Sequence, residues 1–479
     1  MWVIDKFIGY YKNQSVIFKA TLWFMACSIL QKGMSMLTTP IFTRLMSTDE
    51  YGLYTTYNSW LNIFTIITTL NLGYGVFNKA MSKFKEDRDS YTSAMQGLTI
   101  TITTVVFFAY LILRKPINSW TELPTIIMVA MFLELYFAPA FVFWTRRLRY
   151  EYKYKEVVLV TLAMTLGNVF FGIAAVYFSV DKGFARIMSI VFVQAAFGIG
   201  LTVYNFKRGK RFCVPKFWKF AIGFNLPLLP HYFSMYVLEQ SDRVMIQKLC
   251  GYSTVAIYGV AYNLGMVMKI IIDSLNNSLI PWLYNSLEEK KFDNIEKKIT
   301  SISFTFCIGL CLFMLIAPEF LMFFATQEYF EAMYVIPPVT SSILFIFLYN
   351  LFGNIEFYYE SNKFTMLVSG IGAALNIILN YIFIRMFGFV AAGYTTLVCY
   401  MIFSISHYVY STYVTKKKVG VVIFKPNIML LFVVGLVFAT LLIAVLYHYR
   451  LLRYAVIAVL MLFCIVKRKK LLETIKVKK

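Results

Sequence analysis

Charge is scarce in this chain of 479 residues. Only 15% of positions are Asp, Glu, Lys or Arg, and histidine occurs three times. A soluble chain could not hide the apolar surface that accompanies so little charge, because 59% of the residues are hydrophobic. The composition therefore points to a polytopic membrane protein. Cysteine is sparse as well. There are seven, an odd number, and Cys27, Cys307, Cys311, Cys399 and Cys464 lie in apolar runs. Small packing residues are expected there, which argues against a disulfide framework or a metal site. The opening stretch MWVIDKFIGYYKNQS has no short apolar core followed by a small-residue cleavage site, so the first span is expected to act as its own insertion signal. Long polar loops are missing too, which leaves no room for a soluble catalytic domain. Paired Asp motifs for a metal, a glycine-rich nucleotide loop and a His-rich acyltransferase site are likewise absent. These gaps weigh against an integral-membrane polymerase or glycosyltransferase.

What is present is a series of long apolar runs, such as TLVCYMIFSISHYVYSTYV from Thr396 to Val414. They are too long, and alternate too little, for the strands of a membrane β-barrel. Fourteen helical spans are predicted, near 16–42, 51–77, 91–113, 123–145, 157–180, 184–206, 219–241, 253–283, 299–317, 333–355, 364–384, 388–413, 428–446 and 454–466. The expected fold is thus all-α and polytopic. One side of this arrangement carries 33 of the 46 basic residues and the other side 10. Basic loops stay in the cytoplasm, so both termini are expected there. The net charge of +22 then reads as a topology signal and a surface for anionic lipids, not as a nucleic-acid footprint.

The chain also repeats itself. KEVVLVTLAMTLGNVFFGIAAVYFSVDKGFA from Lys155 aligns with KFTMLVSGIGAALNIILNYIFIRMFGFVAAG from Lys363 at an offset of 208, placing Asn168 on Asn376. At an offset of 204, TRLMSTDEYGLYTTYN from Thr43 lies against QKLCGYSTVAIYGVAYN from Gln247, placing Tyr54 on Tyr258. Each copy holds six spans, so the repeat is parallel. The predicted organisation is a six-helix lobe over 1–213, a second over 214–415, and two further helices with a basic tail over 416–479. Two such lobes predict a central cleft that opens to either side in turn.

Three segments carry a family resemblance: KGMSMLTTPIFTRLMSTDEYGLYTTYNSWLNI (Lys32–Ile63), SDRVMIQKLCGYSTVAIYGVAYNL (Ser241–Leu264) and AALNIILNYIFIRMFGFVAAGYTTL (Ala373–Leu397). The chain resembles the polysaccharide-biosynthesis flippases of the multidrug/oligosaccharidyl-lipid/polysaccharide exporter superfamily. The resemblance implies a bacterial inner-membrane protein that turns over a polyprenyl-diphosphate-linked oligosaccharide, such as an O-antigen or capsule repeat unit. It implies coupling to a proton or sodium gradient without a bound cofactor, and contact with other polysaccharide-assembly membrane proteins. A cation-coupled drug exporter of the same superfamily is the alternative.

Charges inside spans are functional hypotheses by default. The resemblance implies that span 1 lines the cleft. Lys32, roughly 24 Å into that span, is therefore the first candidate for the anionic headgroup. Lys19 is expected to snorkel at the inner edge. Lys269 and Asp273 share a helix face four residues apart and are expected either to neutralise each other or to form a cleft site, extended by Asn276 and Asn277. His231, roughly 18 Å into span 7 after Pro227 and Pro230, is a candidate for proton coupling or for a neutral hydrogen-bonded role. Glu134 is expected to pair inside its lobe, and His407 to pack. Arg44, with Asp49 and Glu50, reads as capping and interface placement. Glu239, Asp242 and Arg243 are expected to mark the turn between spans 7 and 8, with Arg243 a candidate outer-gate residue.

Overall fold

A computed structural model describes residues 15–475 apart from residue 362; the side chains of Lys32, Ser35, Asn277, Lys363, Thr365, Met366 and residues 469–475 lie outside that description. The described residues form eighteen α-helices and no β-strand. Ten of the helical stretches are long and apolar enough to cross a membrane. The chain is a multi-pass, all-α membrane protein, as its composition predicts. It divides into two compact units, Met1–Tyr236 and Val237–Lys479.

The first unit begins with α1 (Val16–Leu45) and α2 (Thr48–Thr69). Ser47 and Glu50 close a capping box between them, satisfying two backbone donors at the start of α2. A short α3 (Gly75–Lys83), α4 (Arg88–Ile112), a short α5 (Arg114–Thr121), α6 (Thr125–Tyr150), α7 (Tyr154–Phe178) and α8 (Lys182–Gly209) follow. Close packing of α6 and α8 depends on glycine. A Cβ at Gly198 would sit 2.6 Å from the Phe137 backbone oxygen, so only hydrogen lets the two helices approach. The unit continues with α9 (Pro215–Asn225) and the start of α10 (Leu229–Cys250). Pro227 and Pro230 cannot continue the helical ladder, and a 3₁₀ turn over Leu226–Leu228 separates the two.

The second unit holds the rest of α10 and then α11 (Tyr252–Gly265), α12 (Val267–Glu288), α13 (Phe292–Phe324), α14 (Ile336–Tyr358), α15 (Lys363–Phe387), α16 (Val390–Val419), α17 (Pro426–Leu446) and α18 (Arg450–Ile475). Its centre is α14, in which 89% of the apolar stretch is buried. α12, α13, α16 and α17 all pack against it. α17 is the most hydropathic span and only 28% buried, so its apolar surface is left for lipid.

The turn between spans 7 and 8 corrects the sequence expectation. α10 runs unbroken through Glu239, Asp242 and Arg243 and ends only at Cys250, where Gly251 takes φ +89°. That conformation favours glycine. The 204-residue offset puts Ser47, the cap of the α1–α2 turn, on Gly251. Reading three charges as solvent-facing misplaced the turn between spans 7 and 8.

Candidate functional site

In the second unit, a buried carboxylate organises four helices. Asp242 on α10 is 1% exposed. Its Oδ2 accepts the hydroxyls of Tyr258 on α11 and Thr396 on α16, each at 2.7 Å. Its Oδ1 accepts the Asn380 side-chain amide on α15, also at 2.7 Å. Asn380 donates as well to Asn376 Oδ1 at 3.0 Å, and Ser241 donates to the same oxygen at 2.6 Å. Thr395 donates to Asn380 Oδ1. All these partners are neutral, and among the described residues no cation pairs with Asp242. A buried carboxylate whose direct hydrogen-bond partners are all neutral, with only the adjacent Arg243 acting on it as a charge, is able to take up a cation or a proton.

The neighbouring charges divide differently. Arg243 is buried, donates to the Glu239 carbonyl and the Gln240 side chain at 3.1 Å, and stacks 4.3 Å from the Tyr262 ring centre. Lys269 on α12 bonds Glu239 Oε1 at 3.3 Å. The expectation of a self-neutralising Lys269–Asp273 pair is thus corrected. Lys269 reaches a carboxylate on another helix, because α10 continues past Glu239 and holds it in range. Asp273 and Asn276 are half-buried on α12, and the Asn277 side chain is outside the described residues.

In the first unit the repeat carries the opposite charge. Tyr54 and Asn168, the counterparts of Tyr258 and Asn376, surround Arg186 on α8. The guanidinium lies 4.0 Å from the Phe42 ring centre and 5.2 Å from that of Tyr54, and Nη1 donates to the Asn168 carbonyl at 3.3 Å. Arg186 is 7% exposed, and among the described residues no carboxylate pairs with it. In the sequence Arg186 is one of ten basic residues on its side, and no local pattern sets it apart. Asn376 was noticed only as a mark of the repeat. The available signal was an amide pair four residues apart, Asn376 and Asn380, in an otherwise apolar run.

Glu134 on α6 pairs inside its unit, as expected, with the Tyr57 hydroxyl at 2.8 Å. Arg44 donates to the Pro40 carbonyl at 2.9 Å and stays exposed. Lys19 is half-buried near the start of α1. Lys32 lies on α1, but its side chain is outside the described residues. His231 is half-buried, its ring centre 5.8 Å from that of Tyr232. His407 does more than pack: Nδ1 sits 2.9 Å from Glu356 Oε1, with both groups buried.

These features define a multi-pass helical membrane protein with charges buried inside each of its two units. A family model described as "Polysaccharide biosynthesis protein" matches residues 17–287, more than half of the chain, and the chain belongs to that family. A second model, MatE, matches residues 227–382. Among curated proteins, "Lsg locus putative protein 1" of Haemophilus influenzae is 22% identical over 364 residues, covering 72% of this chain and 86% of that one. Among solved structures, the lipid II flippase MurJ in an inward closed conformation aligns with TM-score 0.66 at 13% identity, over 94% of this chain and 99% of that one. An inward-facing multidrug resistance transporter of the MATE family in the MOP superfamily aligns with TM-score 0.58 at 11% identity, over 83% and 99%. The chain shares its fold with these flippase and multidrug-transporter structures.

Proposed function

We propose that this protein flips a polyprenyl-diphosphate-linked oligosaccharide from the cytoplasmic to the outer leaflet of a bacterial inner membrane, by alternating access and with both termini cytoplasmic. The observation that carries the reading is membership of the polysaccharide biosynthesis family by a chain with a flippase-type fold. The distribution of basic residues supports the orientation. The division into lobes over 1–213 and 214–415, with an added pair of helices over 416–479, is part of the same proposal. Lys32, Lys269, Asp273, His231, Asn276 and Arg243 are the candidate contacts for the diphosphate and sugar. Surface polysaccharide of the O-antigen or capsule type is the destination.

The driving ion belongs at Asp242. Its three direct partners are neutral donors and only the adjacent Arg243 acts on it as a charge, which suits a proton or a sodium ion arriving from one side of the membrane. Other polysaccharide-assembly membrane proteins are the proposed partners. A cation-coupled drug exporter is the second reading, favoured by the MatE match over 227–382.

Deletion of the gene, in a strain without a redundant flippase, tests the choice. Lipid-linked glycan should accumulate on the cytoplasmic leaflet and surface glycan should disappear. Normal surface glycan together with new sensitivity to cationic drugs would favour the exporter.

A further inference from the structure

The first unit encloses a cavity of about 340 Å³ that the residues discussed so far leave almost untouched. Its size falls in the range of small-ligand sites, about 300–1,000 Å³. Asn62 and Thr65 enter it from one face of α2, Asn71 and Tyr74 from the α2–α3 turn, and Glu134 and Arg146 from α6. Glu134 and Arg146 are twelve residues apart, roughly 18 Å along that helix. The cavity is therefore long, with a carboxylate at one end and a guanidinium at the other.

Its polar groups are not consumed by the fold. Among the described residues, the amide of Asn62 makes no hydrogen bond, nor does the side-chain amide of Asn71. Glu134 is 5% exposed and spends one oxygen on Tyr57, while the other oxygen has no partner among the described residues. Thr65 donates to the Leu61 carbonyl at 2.7 Å, which leaves its oxygen free to accept. Arg146 stacks 5.7 Å from the Tyr74 ring centre and, among the described residues, pairs with no carboxylate. Half-buried amides and a carboxylate oxygen that the fold leaves unbonded are available to a ligand entering the cavity.

The two ends ask for different chemistry. A guanidinium recognises phosphate oxygens with charge-assisted, paired hydrogen bonds. Amides, hydroxyls and a carboxylate recognise a polyol, which both donates and accepts. An acyl chain would bury these groups unpaired. A cationic drug would meet Arg146, and a free phosphate would leave the Asn62–Glu134 end unused.

We propose that this cavity is a glycosyl-phosphate subsite, in which Arg146 holds phosphate and Asn62, Thr65 and the free oxygen of Glu134 hold the first sugar. The proposal rests on the flippase reading and adds to it a stopping place within the first unit, on the side where Arg146 and its basic neighbours are expected to face the cytoplasm.

The test uses the full chain in nanodiscs and two defined lipids, undecaprenyl diphosphate and undecaprenyl-diphosphoryl-N-acetylglucosamine. Asn62→Leu and Thr65→Val are expected to weaken binding of the sugar-bearing lipid by about tenfold and to leave the bare diphosphate lipid within about twofold. Arg146→Ala is expected to weaken both. Wild-type affinities in all three variants overturn the subsite and leave the flippase reading standing. Equal weakening of both lipids by Asn62→Leu overturns the sugar assignment. A wild-type protein that binds neither lipid overturns the flippase reading itself. Should Asn62→Leu not fold, Asn62→Cys reports the same contact: its thiol labelling should slow with the sugar-bearing lipid and not with the bare one, and equal labelling with either overturns the contact.

Discussion

The Tyr258 hydroxyl donates to the Asp242 carboxylate at 2.7 Å, joining α10 and α11 across the turn at Gly251. At the matching place in the first unit, Tyr54 lies 5.2 Å from the Arg186 guanidinium. The two units therefore hold buried polar centres of opposite sign, each beside an equivalent tyrosine, with Asn168 meeting Arg186 through its backbone carbonyl and Asn376 reaching Asp242 only through Asn380. An anionic centre can hold a proton or cation; a cationic centre among aromatic rings cannot. The halves share a backbone plan and differ in electrostatics.

Asp242→Asn should keep the fold and lose transport. The amide preserves shape and most hydrogen bonds but removes the charge a driving ion would meet. Asp242→Ala should fold less well, because it leaves the Tyr258, Thr396 and Asn380 donors unmatched at about 1–3 kcal/mol each. Thermal unfolding in detergent and glycan export in complemented cells separate the two. Wild-type export by Asp242→Asn would remove Asp242 from the coupling proposal.

Two glycines on α8 should respond oppositely. At Gly198 a Cβ meets the Phe137 backbone oxygen at 2.6 Å and its carbonyl carbon at 2.7 Å, so α6 and α8 must part. Gly198→Ala should cost about 1–3 kcal/mol or more. At Gly200 a Cβ would meet no atom within 4 Å, so Gly200→Ala should be neutral or stabilising by up to about 1 kcal/mol. Unfolding midpoints of the two single variants decide this, and equal midpoints would contradict the glycine-dependent contact.

Glu151 closes the C-terminal end of α6, with Lys153 Nζ at 2.7 Å and Arg147 Nη2 at 3.3 Å. Burial raises its carboxyl, but the Lys153 bond and the charges of Arg147, Lys153 and Arg88 outweigh burial and hold it below its usual value of 4.5. A depressed carboxyl contributes stability that is fully present above the unfolded-state value and is lost as pH falls through the folded-state value. Unfolding midpoints of wild type and Glu151→Gln should therefore differ at pH 7 and converge below about pH 4. A constant difference across that window would assign the effect to packing.

The last helix is held to the second unit by a buried charge. Arg453 on α18 is 4% exposed, bonds Glu319 on α13, and lies 5.8 Å from the Tyr447 ring centre. Arg453→Ala leaves Glu319, whose side chain is 32% exposed, with the Tyr454 hydroxyl as its partner and should cost about 1–3 kcal/mol of the local contact. The expected sign is faster proteolysis within 447–475 while the rest of the chain stays protected. Unchanged cleavage there would show that α18 is held by its apolar face alone.

Most of the fold was legible in the chain itself. Long apolar runs with no strand-like alternation can satisfy their backbone in a membrane only as helices. The recurrence of Asn168 at Asn376 and Tyr54 at Tyr258 followed from order alone. Pro227 and Pro230 lie inside what the sequence presents as one span, 219–241, and the structure breaks it there because proline lacks a backbone donor. Which charges lie inside was settled only by the packed helices. Hydropathy treats every charge as a cost and placed Glu239, Asp242 and Arg243 at a water-facing turn. The cost disappears when Tyr258, Asn380 and Thr396, up to 154 residues away, converge on one carboxylate, and no local pattern encodes that convergence. Lys269 found Glu239 and not Asp273 for the same reason. Arg146, Asn62 and Glu134 share a cavity only because α2 packs beside α6. Residue order and composition were enough for the helices, their repetition and their solvent, since each of these depends on local hydropathy and backbone chemistry. The sites depend on contacts between helices far apart in the chain, and only packing brings those side chains together.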